Sequence, residues 1–259
     1  MSPGSAGVVL VHGAWHRGSS WAPVVTELER AGVPVAAPDL PSDGPEAGHA
    51  ELVDPVLAAA EGPVVLAGHS LGGLVAAVAA GRLDPTRVRA LVLVAALVPE
   101  PGRSYLDRMR AERDLMVPGY DTGVLRGEGM VTYWPDAATA AAGLYRGVAD
   151  ELAVSADRAA PADRAEAAVA AATARMRPQD WTVLKEACPL SVWPAVRTVS
   201  VICTGDRVVD PDGARRDAAR VGAEVVEFPG GHFPMLTRPG ELADLLARLA
   251  IGPGVPPGG

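Results

Sequence analysis

Apolar residues in this chain gather into short runs, and between the runs they recur every three or four positions. The runs Val8–Val11, Val33–Ala37, Val64–Ala67, Val88–Ala96, Val199–Cys203 and Glu224–Phe228 are rich in β-branched residues and predict six strands. The fourth, Val88–Ala96, is near-continuously apolar, as expected when both faces of a sheet are covered. Between them, Trp21, Val24, Val25 and Leu28 share one helical face over 21–31, with Gly32 as the stop. Leu52, Val56 and Leu57 do the same over 46–61, and Leu74–Ala80 is an alanine-rich helix. A further helix is expected over 212–221, capped by Asp212, and a last one over 240–249 buries Leu242, Leu245, Leu246 and Leu249. Strands alternating with helices predict right-handed crossovers and a parallel sheet.

The rhythm breaks between Pro99 and Val196, where alanine-rich patches alternate with charge and proline and no strand pattern stands out. Residues 99–196 therefore read as a helical cap inserted between two strands of an α/β core made of 1–98 and 197–251. Residues 252–259 form a Pro/Gly tail with nothing to bury, expected to be disordered.

At 259 residues one large domain with an insertion is the expected organisation. The net charge of −8, without a basic run, argues against nucleic acid or an anionic membrane as partner and leaves a small-molecule substrate. Cys188 and Cys203 are too few for a disulfide framework and lack metal-ligand spacing, so both are expected as reduced core thiols. No two histidines sit at ligand spacing on one element, which argues against a metal. No run reaches the length of a membrane span and no basic segment precedes an apolar one at the start, so a cytoplasmic protein is expected. Oligomeric state stays open, a homodimer included.

Candidate chemistry starts at Gly68-His69-Ser70-Leu71-Gly72, where the third run meets the alanine-rich helix. A serine on a sharp strand-to-helix turn is forced into strained backbone and pushed into the open, and the flanking glycines make room for it. In an open parallel sheet the working site lies beyond the C-terminal strand ends, where Asp206 and His232 follow the fifth and sixth runs. A serine hydroxyl needs an imidazole to take its proton and a carboxylate to orient that imidazole, and Ser70, His232 and Asp206 supply the three groups. Asp210, Asp212 and Glu100 are alternative acids. Of the other histidines, His12, His16 and His69 read as structural or pocket-lining, and His49 as a solvated loop residue. The oxyanion donors would be the N–H of Leu71, next to the serine, and that of Ala14, in the loop His12-Gly13-Ala14 after the first strand.

Val9-Leu10-Val11-His12-Gly13-Ala14-Trp15-His16 with Trp21, Gly68-His69-Ser70-Leu71-Gly72-Gly73, Cys203-Thr204-Gly205-Asp206 and Gly231-His232 resemble the α/β-hydrolase superfamily. They are most similar to its branch of plant methylesterases, hydroxynitrile lyases and bacterial esterase-like proteins. The resemblance runs from about Gly7 to Leu249, and Arg177-Pro178 and Pro189-Leu190 extend it weakly into the insertion. It implies a six-stranded parallel core under a helical cap, catalytic roles for Ser70, Asp206 and His232, and no cofactor. Hydroxynitrile lyases of the branch carry a threonine in the first-strand loop and a lysine after the catalytic histidine, where this chain has Gly13 and Phe233. Cyanide release would lack its cation, which disfavours that activity. The expectation is a serine hydrolase acting on a carboxylic ester, lactone or thioester of an apolar small molecule. A non-hydrolytic lyase, cyclase or dehydratase on the same scaffold is the alternative, and a ligand receptor a third reading. Met130, Tyr133, Trp134, Leu144, Tyr145 and Trp181 are the candidate pocket-lining residues of the cap.

Overall fold

The valine-rich runs do pair. The computed structural model describes residues 6–155 and 161–251, and the expected tail over 252–259 lies outside them. β1 (Gly7–Val11), β2 (Val35–Ala36), β3 (Val64–His69), β4 (Val88–Val94), β8 (Thr198–Cys203) and β9 (Glu224–Phe228) form one six-stranded parallel sheet. Its spatial order is β2-β1-β3-β4-β8-β9. β3 and β8 are buried along their whole length, as continuous apolar strands in a doubly covered sheet must be. β2 is shorter than the expected Val33–Ala37: it is a half-buried edge strand beside Pro34, whose ring removes a donor from the ladder.

The order of the strands fixes where the helices go. From β1 the chain steps outward to β2, then returns to place β3 on the other side of β1 and moves on to β4. Right-handed crossovers therefore put α1 (Ala22–Arg30) on one face, and α2 (His49–Ala59) and α3 (Gly72–Arg82) on the other. The packing agrees: α1 lies against the last helix (Pro239–Ile251), and α2 against α3. A 3-10 turn, Gly18–Trp21, leads into α1, which starts one residue after the expected Trp21. α9 (Pro211–Val221) is capped by Asp210, whose carboxylate accepts from the N–H groups of Asp212 and Gly213, so Asp212 is in the first turn and not the cap. His49 is also placed differently from expectation: it is the buried first residue of α2, with its N–H on Glu186 Oε2 at 2.8 Å.

The chain between β4 and β8 carries α4 (Tyr105–Ala111), α5 (Ala137–Ala142), α6 (Val148–Val154), α7 (Ala162–Thr173) and α8 (Thr182–Lys185). It also holds a small antiparallel sheet of β5 (Leu125–Arg126), β6 (Val131–Tyr133) and β7 (Gln179–Asp180), where no strand was expected. Strands of two or three residues leave no periodic trace in a sequence. Arg108 of α4 fixes this insert to the core. It is buried, pairs bidentately with the buried Asp217 of α9 at 2.9 and 3.2 Å, and donates to the Val98 carbonyl at 2.6 Å.

Candidate active site

The reversal of strand order between β1 and β3 opens a crevice beyond their C-terminal ends, and Ser70 and the loop 12–17 form its two sides. Ser70 sits at φ +52°, a left-handed conformation that costs a side-chain-bearing residue on the order of 1 kcal/mol or more. The surroundings hold it there. Its N–H donates to Val94 O at 3.2 Å, and its carbonyl accepts from Gly73 and Leu97 N–H, each at 2.9 Å. Glycine is obligatory on both sides: a Cβ on Gly68 would strike the Gly72 carbonyl, and one on Gly72 the carbonyls of Val11 and His12. The signature thus brings β1, β3 and the start of α3 into backbone contact around one serine.

Asp206 and His232 come from the other half of the sheet. The Asp206 Oδ1 accepts from the N–H groups of Val208 and Val209 at 2.8 and 3.0 Å, which aims Oδ2 at His232 Nδ1, 2.9 Å away. A carboxylate can only accept, so Nδ1 carries the proton and Nε2 of a neutral ring is left as a base. The structure brings Asp206 to the imidazole, whereas Asp210 is occupied as the α9 cap and Glu100 faces Arg103 and Arg108. His69, the last residue of β3 and next to Ser70, donates Nε2–H to the His232 carbonyl at 2.8 Å and so ties the two loops together.

Ser70, His232, Leu71 and Ala14 all line one cleft of about 440 Å³, its open mouth included. Of the histidines expected to be structural or pocket-lining, His16 and His69 line it and His12 does not. Burial drives the pKa of His16 down to about 4, and that of His12 to about 3 with help from Arg177, so both are neutral. Their tautomers follow from their partners. His16 Nδ1–H donates to Ala14 O and Nε2 accepts from the Tyr145 hydroxyl at 2.7 Å; His12 Nδ1–H donates to Gly13 O and Nε2 accepts from Leu40 N–H at 3.0 Å. Burial also pushes up the thiol of Cys203, beside Asp206, so it stays protonated.

Of the cap residues singled out in the sequence, Leu144 and Trp181 line the cleft. Tyr145 stands behind it, stacked on Phe233 at 4.1 Å, and Trp134 packs edge-on against Trp15. Met130 and Tyr133 do not line it. Met109, Met116, Tyr120 and Leu184 do, and were missed because nothing in a helix or loop sequence marks which residues a docked insert turns inward. Among the described residues no group of three metal-ligating side chains is present.

Known proteins agree with this architecture. The model of the alpha/beta hydrolase family matches residues 8–245. The chain is 31% identical to "Probable esterase PIR7A" of Oryza sativa subsp. indica, over 96% of this chain and 98% of that one. It is 38% identical to the "Pyrethroid hydrolase" of Sphingobium wenxiniae over a shorter stretch, 37% of each chain. Among solved structures, the pyrethroid hydrolase from Sphingobium faniae superposes with a TM-score of 0.71 at 23% identity, covering 96% of this chain and 98% of that one. Polyneuridine aldehyde esterase gives 0.69 at 21% identity, covering 93% and 98%. The match over nearly the whole length, on a six-stranded parallel sheet with its serine turn at the switch point, places the chain in the alpha/beta hydrolase family.

Proposed function

We propose that the protein is a serine hydrolase that cleaves a carboxylic ester, or a related lactone or thioester, of a largely apolar small molecule. Ser70 Oγ attacks the carbonyl carbon while His232 Nε2 takes its proton, and Asp206 stabilises the imidazolium that forms. The leaving alcohol or thiol departs with that proton. Water, deprotonated in turn by His232, then attacks the acyl-Ser70 and releases the acid. The N–H groups of Ala14 and Leu71 hold the oxyanion in both steps. The observation that carries the reading is a serine in left-handed backbone opening on the same cleft as an imidazole whose far nitrogen is fixed by a carboxylate.

Backbone accounting supports the oxyanion assignment. From the Gly13 carbonyl to the His16 carbonyl each backbone polar group has a partner among the described residues except one, the Ala14 N–H. A buried N–H left over in this way is a donor kept for something else. The Leu71 N–H, in front of α3, has no acceptor among the described residues either. Relatives named esterase or hydrolase support ester cleavage, and the apolar lining by Met109, Met116, Tyr120, Leu144, Trp181 and Leu184 supports an apolar substrate.

The test is hydrolysis of p-nitrophenyl acetate, butyrate and octanoate by the protein and by Ser70→Ala. The reading expects turnover by the parent and a loss of at least about 10³-fold in the variant, with its melting temperature kept. Equal turnover by Ser70→Ala contradicts it.

A further inference from the structure

A loop that presents an oxyanion donor must be held more tightly than a surface loop. An error on the order of 1 Å in donor position removes most of the benefit of preorganisation. The loop after β1 has no regular secondary structure of its own between His12 and Arg17, and Trp15 sits at φ +60°, so its shape has to be imposed from outside.

The imposing group is one stretch of the insert. Arg177 is 8% exposed. Its backbone N–H donates to Trp15 O at 3.0 Å, its Nε–H to His16 O at 2.9 Å, and Nη2 to the Leu40 carbonyl and to His12 Nε2, the latter at 3.3 Å. Nη1 ends on Asp43 Oδ1 at 3.0 Å, an exposed carboxylate at the rim and its one ion-pair partner among the described residues. Two residues on, Gln179 Oε1 accepts the Trp15 N–H at 3.3 Å. Residues 177–179 therefore partner Trp15 N–H, Trp15 O and His16 O, the backbone groups that follow Ala14. This leaves the Ala14 N–H as the free donor.

The chemistry of the guanidinium suits this task. It is planar, always charged, and its donors point in fixed in-plane directions, so it can hold carbonyls from two separate loops at once. Neutral acceptors satisfy most of its donors, and burial accordingly pulls its pKa down despite Asp43. A buried arginine with mainly carbonyl partners is an expensive way to hold a fold, since it gains little charge compensation for its desolvation.

We propose that Arg177 is the positioning residue of the oxyanion site: its guanidinium sets the Ala14 N–H through the His16 carbonyl, beside the backbone bond from its own N–H to Trp15 O, and so makes transition-state stabilisation depend on a docked insert. This rests on the acyl-transfer reading above. Arg177 touches no reacting atom; it acts through the loop. Loss of its contacts weakens binding of the tetrahedral, oxyanion-bearing species and leaves ground-state binding in the apolar cleft intact.

The experiment compares the parent with Arg177→Lys and Asp43→Ala, using p-nitrophenyl butyrate and butylboronic acid, whose adduct on a serine hydroxyl is tetrahedral and carries an oxygen in the oxyanion position. Lysine keeps the charge but spans only one or two of the acceptors. Arg177→Lys is expected to lower kcat by about 30-fold with KM within about threefold, and to weaken boronate inhibition in parallel. Asp43→Ala, at the rim, is expected to give a loss of about threefold to tenfold of the same kind and serves where Arg177→Lys does not fold. A folded Arg177→Lys with a lower melting temperature but unchanged kcat and boronate affinity overturns the proposal, as does unchanged boronate affinity in Asp43→Ala when only that variant folds. A parent protein that neither turns over the ester nor binds the boronate overturns the acyl-transfer reading itself, and the inference with it.

Discussion

The sheet and the insert bury comparable side chains by different means, and the difference shows which parts of the site are rigid. In the sheet, backbone ladders satisfy the polar groups and leave aliphatic side chains to fill both faces, so β3 and β4 hold Ser70 on a dry, redundant support. The insert has little ladder. Individual side-chain and loop hydrogen bonds attach it, two buried arginines prominent among them: Arg108 near its start faces the carboxylate of Asp217, and Arg177 near its end faces carbonyls of the β1 loop. Thr132 of β6 accepts from the indoles of Trp15 and Trp181 at 3.0 and 2.7 Å, linking loop to insert once more. On the proposed acyl-transfer reading, the sheet rim would supply the chemical groups, and the insert the cleft lining and the hold on the loop after β1.

Four changes break or sharpen that contrast. The largest effect belongs to the rim: Asp206→Asn is expected to cost about 10⁴-fold in kcat for p-nitrophenyl butyrate, because an amide can donate to Nδ1 and stabilise the wrong tautomer. Stopped assays on a folded variant, checked by circular dichroism, measure it. Next comes the insert's anchor. Arg108→Met leaves Asp217 buried with only Arg220, the latter at 2.8 Å, and is expected to destabilise the protein by about 3 kcal/mol in urea unfolding, with kcat/KM of the folded variant within about threefold.

Acid acts on the sheet rim through the buried histidines. His12, His16 and His69 have pKa values depressed by burial, so below about pH 6.5 the unfolded chain takes up protons that the folded one refuses. Stability held by these groups is therefore present above that pH and lost as pH falls toward 4, at roughly 1.4 kcal/mol per pH unit for each histidine. Melting curves from pH 7 to 4.5 check the slope, and His16→Gln should make it shallower. The smallest effect is expected in the lining: Met116→Ala should raise kcat/KM for octanoate over butyrate esters by up to about tenfold, read from a chain-length series.

The sequence carried the sheet and its site further than it carried the insert. The strands were legible because a doubly covered parallel sheet demands continuous apolar runs, and Ser70, Asp206 and His232 because each follows the end of such a run. Arg177 enters the sequence only as part of an Arg-Pro pair that extends the resemblance, with no role attached, since burial of an arginine depends on carbonyls contributed by Trp15, His16 and Leu40, more than 130 residues away along the chain. Met109 and Met116 likewise owe their place in the cleft to docking, which no local periodicity encodes. His49 misleads for the same reason: it is buried where Glu186, distant along the chain, meets the start of α2.

The central claim is that the reaction passes through an ester of Ser70. Acid quenching of the protein during turnover of p-nitrophenyl butyrate, followed by intact and peptide mass measurement, tests it directly. A butyryl group on the peptide containing Ser70, absent in Ser70→Ala, is the predicted result. Sustained turnover with no acyl group on that serine, or with the group on another residue, would contradict it.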